Sequence, residues 1–219
     1  MLLAIDTATR AVSLALHDGA RVLAESTWTT ANHHPIELTP AVGELLGRSG
    51  VTARDLTGLA VALGPGSYTG LRIGLSLAKG IALGAAPPLP LVGVPTLDIV
   101  AAAQPPLAPQ LCAVAQAGRG RVNTGFYTWG GGADAWQPAG DPAITTWEVL
   151  IEQIDVPTLL AGEVTAEVRE TLAKANPALR VSPPALCLRR AGVLAELAWQ
   201  RMRAGAPTDA RAVAPTYLT

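Results

Sequence analysis

Hydrophobic positions open the chain as three short strands. Leu2–Asp6 is an apolar run ending on a carboxylate, Ala11–His17 alternates apolar and polar positions, and Arg21–Thr27 returns after Asp18-Gly19. An Asp-Gly pair between two such runs is the strongest short hairpin signal, because both residues accept positive φ. The period then becomes helical between Pro35 and Arg48, where Leu38, Val42 and Leu45 fall at i, i+4 and i+7. Pro35 suits a first helical turn, Gly50 marks the stop, and Pro40 inside the segment predicts a kink or a late start.

Gly58–Leu63 reads as a buried strand running into Gly64-Pro65-Gly66-Ser67-Tyr68-Thr69-Gly70 and then a helix to about Gly84. Along that helix Gly70, Gly74, Ala78 and Ala82 recur every four residues. An interior helical glycine costs about 1 kcal/mol relative to alanine, so its repeated use implies that another backbone comes close. That backbone belongs either to the chain's own sheet or to a partner. Further on, Leu91–Val94 predicts a strand, and Thr96–Ala103 a helix with Thr96 as N-cap. Gln104-Pro105-Pro106-Leu107-Ala108-Pro109 has linker composition. Beyond it come strands at Leu111–Ala115 and Val122–Trp129, a turn at Gly130-Gly131-Gly132, a helix over Trp147–Ile154 and a strand at Thr158–Ala161. Helices at Thr165–Ala175 and Arg190–Ala204 complete the series. The expected organisation is an α/β protein of two related lobes, 1–103 and 110–219, joined at 104–109, with mixed sheets flanked by helices.

Composition narrows the function classes. With 49% hydrophobic and 15% charged residues the chain is not a disordered polyelectrolyte. A formal net charge of −1 gives no basic surplus, which argues against tight nucleic-acid binding by this chain alone; Arg119 with Arg121 is a local basic pair only. Cys112 and Cys187 form no zinc spacing and no disulfide framework, and read as small hydrophobes in a reducing compartment. The most apolar stretch, Ile81–Pro95, is cut by Pro87, Pro88 and Pro90 and cannot cross a bilayer as a helix. Met1–Ile5 lacks the basic start of a secretory signal. A soluble, cytoplasmic protein is expected.

Candidate chemistry is sparse. Strand, Gly-rich turn and helix at Gly64–Gly70 match the arrangement that cradles phosphates on backbone amides. The lysine of a Walker loop is missing, and GxGxxxG is one residue longer than a dinucleotide fingerprint. Asp6-Thr7-Ala8-Thr9 is similar to the first phosphate loop of the actin-like superfamily, but Ala8 replaces the glycine that lets backbone approach phosphate, leaving Asp6 a turn-holding role. His33-His34 and His17 sit in no metal-binding pattern, and Ser67 lies in no GxSxG elbow. On these residues alone an ATPase or ATP-dependent phosphotransferase is the enzymatic alternative.

The eleven-residue run Gly64–Gly74, continuing through Ala78-Lys79-Gly80, resembles the hallmark of the TsaB (YeaZ) family. Asp6–Thr9 with Ser13–Leu16, Val92–Leu97 and Pro215-Thr216-Tyr217-Leu218 resemble its opening, middle and closing segments. The resemblance implies the actin-like fold (ASKHA, ribonuclease-H-like) with two lobes. It also implies a place beside TsaD, the paralogous transferase that puts threonylcarbamoyl on N6 of adenosine 37 in tRNAs reading codons that begin with A. TsaD carries paired metal-binding histidines after the corresponding helix; Val94–Ile99 here has none, so a non-catalytic, metal-free subunit is expected. The family pattern implies pairing through the helices at Pro35–Arg48 and after Gly70, with Leu38, Val42, Leu45, Gly70, Leu71, Gly74 and Ala78 as interface. Gly74→Leu is accordingly expected to weaken association while the fold survives. The ATPase TsaE is implied as third member, tRNA contact only through the complex, and a homodimer in isolation. No cofactor is expected on this chain alone, with a nucleotide at the TsaB–TsaD seam left open. Gln116–Gly120 and Thr219 depart from the family pattern.

Overall fold

The computed structural model describes residues 1–31, 34–130 and 134–218. It divides into two units, Met1–Thr96 with Arg190–Tyr217, and a second that runs from Leu97 to Arg189.

In the first unit, β1 (Leu2–Asp6), β2 (Ala11–His17) and β3 (Val22–Thr29) form the expected antiparallel meander. β4 (Gly58–Ala62) and β5 (Leu91–Val94) add in parallel to β1, giving the order β3-β2-β1-β4-β5. The central strands β1 and β4 are buried throughout, as expected for a sheet covered on both faces. Leu3 and Ile5 of β1 join a core with Leu38, Val42 and Leu45 of α1 (His34–Arg48) and Leu75 and Ala78 of α2 (Tyr68–Gly84). Trp28 Nε1–H donates to Glu37 at 3.0 Å, fixing α1 on the sheet. Pro40 lies exposed inside α1 and lacks the N–H that would bond back to Ile36.

The other face of this sheet carries α7 (Ala191–Arg203), which packs on β1 and β2. Ala191, Gly192, Leu194, Ala195 and Ala198 are its buried positions, and all but Leu194 are small enough to bring the helix close to the strands. Its first turn is pinned by Ala191 N–H on Ser13 Oγ (2.9 Å) and Gly192 N–H on Glu25 Oε1 (2.7 Å), and the Glu25 carboxylate suits the positive helix end. Arg190 forms an ion pair with the same carboxylate. The closing helix, expected in a lobe spanning 110–219, thus belongs to the first unit. The reason is its burial on the first sheet, which chain order does not reveal.

The second unit begins within α3 (Thr96–Ala102) and contains β6 (Gln110–Gly118), β7 (Arg121–Trp129), β8 (Trp136–Pro138), β9 (Ala143–Thr146), β10 (Thr158–Gly162) and β11 (Leu179–Val181). Its sheet runs β11-β10-β6-β7-β8, with β9 also paired to β7. Period-two alternation on β6 sends Leu111, Ala113 and Ala115 to a core with Leu97, Val100 and Ala101 of α3. Cys112 and Val114 go to a second core with Leu150 of α4 (Trp147–Gln153) and Leu172 of α5 (Ala166–Ala175). Burial pushes the Cys112 thiol pKa up. The expected linker starts on a buried anchor rather than a loose tether: Gln104 donates to Leu186 O of α6 (Pro184–Cys187) at 2.6 Å, and Ser182 Oγ–H donates to its side-chain oxygen at 2.7 Å. The Gly131-Gly132 portion of the predicted turn lies outside the described residues. Among the described residues no helix is long and apolar enough to cross a membrane.

Candidate functional site

The first unit holds two places where motif residues meet: the junction of the β1–β2 turn with the Gly-rich turn, and the helix pair α1–α2. At the junction Asp6 is fully buried and its Oδ1 accepts the Ala8 N–H at 2.9 Å, which ties the β1–β2 turn to its own backbone. Thr7 Oγ1–H donates to Gly70 O at 2.7 Å, and Ser67 N–H donates to Ala8 O at 2.6 Å. Ser67 caps α2 by accepting the Gly70 N–H at 3.2 Å. Thr96, expected as an N-cap, opens α3 instead; its hydroxyl accepts the Gly64 N–H at 3.0 Å while its own N–H donates to Gly64 O at 2.8 Å. The Ser67 and Gly70 amides that a phosphate cradle would aim at a ligand thus bond inside the protein.

The glycines of the motif make this junction sterically feasible. A Cβ on Gly66 would stand 2.2 Å from Ala8 O, one on Gly70 2.2 Å from Thr7 O, and one on Gly74 2.2 Å from Thr7 Oγ1. Gly64 combines a φ of +107° with Thr216 O only 2.4 Å from where its Cβ would be. The backbone admitted by the small-residue stripe is therefore the chain's own β1–β2 turn.

The residues expected at an interface have a place in this unit's own packing. Gly70, Leu71, Gly74 and Ala78 are buried positions of α2, and Leu38, Val42 and Leu45 of α1 lie in the core against the sheet. An apolar stripe on a surface helix is by default the face it buries on its own domain, and here it is. These seven residues fix the two helices in place; the surface they offer lies on the opposite sides. On α1 that side carries Ile36, 76% exposed, with Pro40, Gly43 and Gly47 at helical spacing, and a Cβ on either glycine meets nothing within 4 Å. On α2 it carries Thr69, Arg72, Ser76 and Gly80, with Ile73 and Leu77 half-buried. A groove of about 500 Å³ runs between the helices, lined by Leu38 and Thr39 of α1 and by Tyr68, Arg72, Ile73 and Leu77 among others of α2. At its end the Tyr68 ring packs on Tyr217 (centroids 5.1 Å apart) and carries the Arg72 guanidinium 4.6 Å from its centroid. The sequence signal for this cluster was the i, i+4 pair Tyr68 and Arg72; Ile36 was legible only as an apolar residue off the Leu38 stripe.

The other singled-out residues fall elsewhere. His17 is buried, with its Nε2 3.1 Å from Glu196 Oε2 and its Nδ1 accepting the Gly19 N–H. His33 and Thr219 lie outside the described residues. Asp98 accepts the Tyr127 hydroxyl at 2.9 Å. Arg119 and Arg121 are exposed at the β6–β7 hairpin, whose Gln116 N–H donates to Glu163 at 2.9 Å. Among the described residues no three His, Cys, Asp or Glu side chains gather as a metal site.

Comparison with known proteins agrees with this architecture. The family model described as TsaD, tRNA N6-adenosine threonylcarbamoyltransferase, matches residues 21–219. The tRNA threonylcarbamoyladenosine biosynthesis protein TsaB of Bacillus subtilis is 32% identical over 166 residues, 75% of this chain and 72% of that protein. Its Escherichia coli counterpart is 44% identical over 100 residues, 46% of this chain and 42% of that protein. Among solved structures, YeaZ from Pseudomonas aeruginosa superposes with a TM-score of 0.78 at 29% identity, covering 99% of both chains. The two mixed sheets flanked by helices are those of the actin-like fold.

Proposed function

Since the chain belongs to the TsaB family, we propose that it serves tRNA threonylcarbamoyladenosine biosynthesis as a non-catalytic subunit that docks on TsaD and activates it. In this reading TsaD performs the transfer to adenosine 37, TsaE joins as the ATPase, and tRNA meets this chain only within the assembly. The work is done in the cytoplasm. The carrying observation is the uncovered α1–α2 face, with Ile36 76% exposed beside a groove of about 500 Å³. The chemistry of the junction supports the same reading: the Thr7 hydroxyl and the Ser67 and Gly70 amides, groups a phosphotransferase would turn toward ATP, bond within the junction, and Asp6 Oδ1 accepts the Ala8 N–H of its own turn. Without TsaD, two copies of the isolated chain are expected to cover the same face in each other as a homodimer. A nucleotide at the seam with TsaD would need groups from both chains.

Titration of purified TsaD with this chain is expected to give a saturable one-to-one complex, and the chain alone is expected to release no phosphate from Mg-ATP. Failure to associate would remove the docking role. ATP turnover abolished by Asp6→Asn would establish the enzyme reading in its place.

A further inference from the structure

We propose that Arg72, held on the Tyr68–Tyr217 stack, determines the specificity of the α1–α2 face by selecting a TsaD helix that carries a carboxylate beside an apolar ridge. This rests on the docking role proposed above and adds the chemistry that the partner must present.

Among the described residues that line the groove Arg72 is the charged one, beside Leu, Ile, Thr, Ser and Tyr side chains. Among the described residues no carboxylate pairs with it, in contrast to Arg48 with Glu44, Arg190 with Glu25 and Arg189 with Glu163. Its guanidinium carbon lies 4.6 Å from the Tyr68 ring centroid, and no salt bridge among the described residues uses its N–H groups, which a bidentate carboxylate would take. Tyr68 is supported by Tyr217, and the backbone beside Tyr217 is itself anchored: Thr216 N–H donates to Leu63 O at 2.7 Å. The cation is thereby positioned before any partner arrives, which lowers the ordering cost of binding. Tyr, Tyr and Arg around an apolar slot is also the composition of residues that dominate interface energetics.

The groove between two helices accepts the side-chain ridge of a third, and a lone cation at its end requires an anion on the occupant. A protein helix fits better than a nucleic acid, because one cation above an apolar floor offers no track for successive phosphates. A second copy fits less well than TsaD, because its groove brings another Arg72 and the exposed Glu44 of its α1 already pairs with Arg48.

The test is calorimetric titration of TsaD into the parent chain and into Arg72→Gln, Arg72→Glu and Ile36→Glu, at low and high salt. Arg72→Gln is expected to weaken binding at least about tenfold and Arg72→Glu at least about a hundredfold. Parent affinity should fall with salt more steeply than that of Arg72→Gln. Circular dichroism of the Arg72 variants should match the parent, since the side chain is exposed. A lysine scan of TsaD carboxylates should find one position that restores binding to Arg72→Glu. Parent-like binding by both Arg72 variants, with binding lost in Ile36→Glu, would overturn the assignment of Arg72 and leave the docking face standing. Parent-like binding by all three would remove the docking face as well.

Discussion

Gly74→Leu is expected to destabilise the first unit by about 3 kcal/mol, or about 8 °C in its melting temperature. The added Cβ would start 2.2 Å from Thr7 Oγ1, and that hydroxyl cannot swing away without giving up its 2.7 Å bond to Gly70 O. The branched remainder of the side chain would then push Thr7, and with it the β1–β2 turn, off α2. Thermal unfolding followed by circular dichroism reads the loss. Gly43→Ala is the matched control: its Cβ meets open space, and replacing an exposed helical glycine should gain up to about 1 kcal/mol. A Gly74→Leu protein that melts like the parent would show that the stripe does not serve this contact.

Ile36→Glu should leave folding unchanged and cost about a hundredfold in affinity for TsaD. Ile36 is 76% exposed, so the monomer loses little on substitution. At a docked face the same change removes an apolar anchor and brings a carboxylate into a desolvated contact, each worth about 1–3 kcal/mol. Equilibrium titration beside a melting curve separates the two effects. Unchanged affinity would mean that TsaD docks elsewhere.

Local patterns carried much of this architecture. Alternation at Ala11–His17 and the Asp18-Gly19 turn specify the opening meander, and Leu38/Val42/Leu45 specify the buried face of α1, because those signals depend only on backbone period. The recurrence of Gly70, Gly74 and Ala78 was correctly legible as close approach, but not what approaches: Thr7 is more than sixty residues away in the chain. The stripe residues form a core face, and the exposed apolar position of α1 is Ile36, off that stripe. The strands β8, β9 and β11 span three or four residues each, too short for alternation to register. The return of α7 to the first sheet depends on Ser13 and Glu25 receiving its first turn, a contact across more than 160 residues. The Tyr68–Tyr217–Arg72 cluster joins the motif to the chain's last residues in the same way.

The most direct measurement is the yield of threonylcarbamoyladenosine in tRNA incubated with threonylcarbamoyl-adenylate and TsaD, with this chain, with its Ile36→Glu variant, or with neither. Product is expected only when TsaD and the parent chain are together, and none from the chain alone. Modification by the lone chain, or full-rate modification by TsaD without it, would contradict a docking subunit.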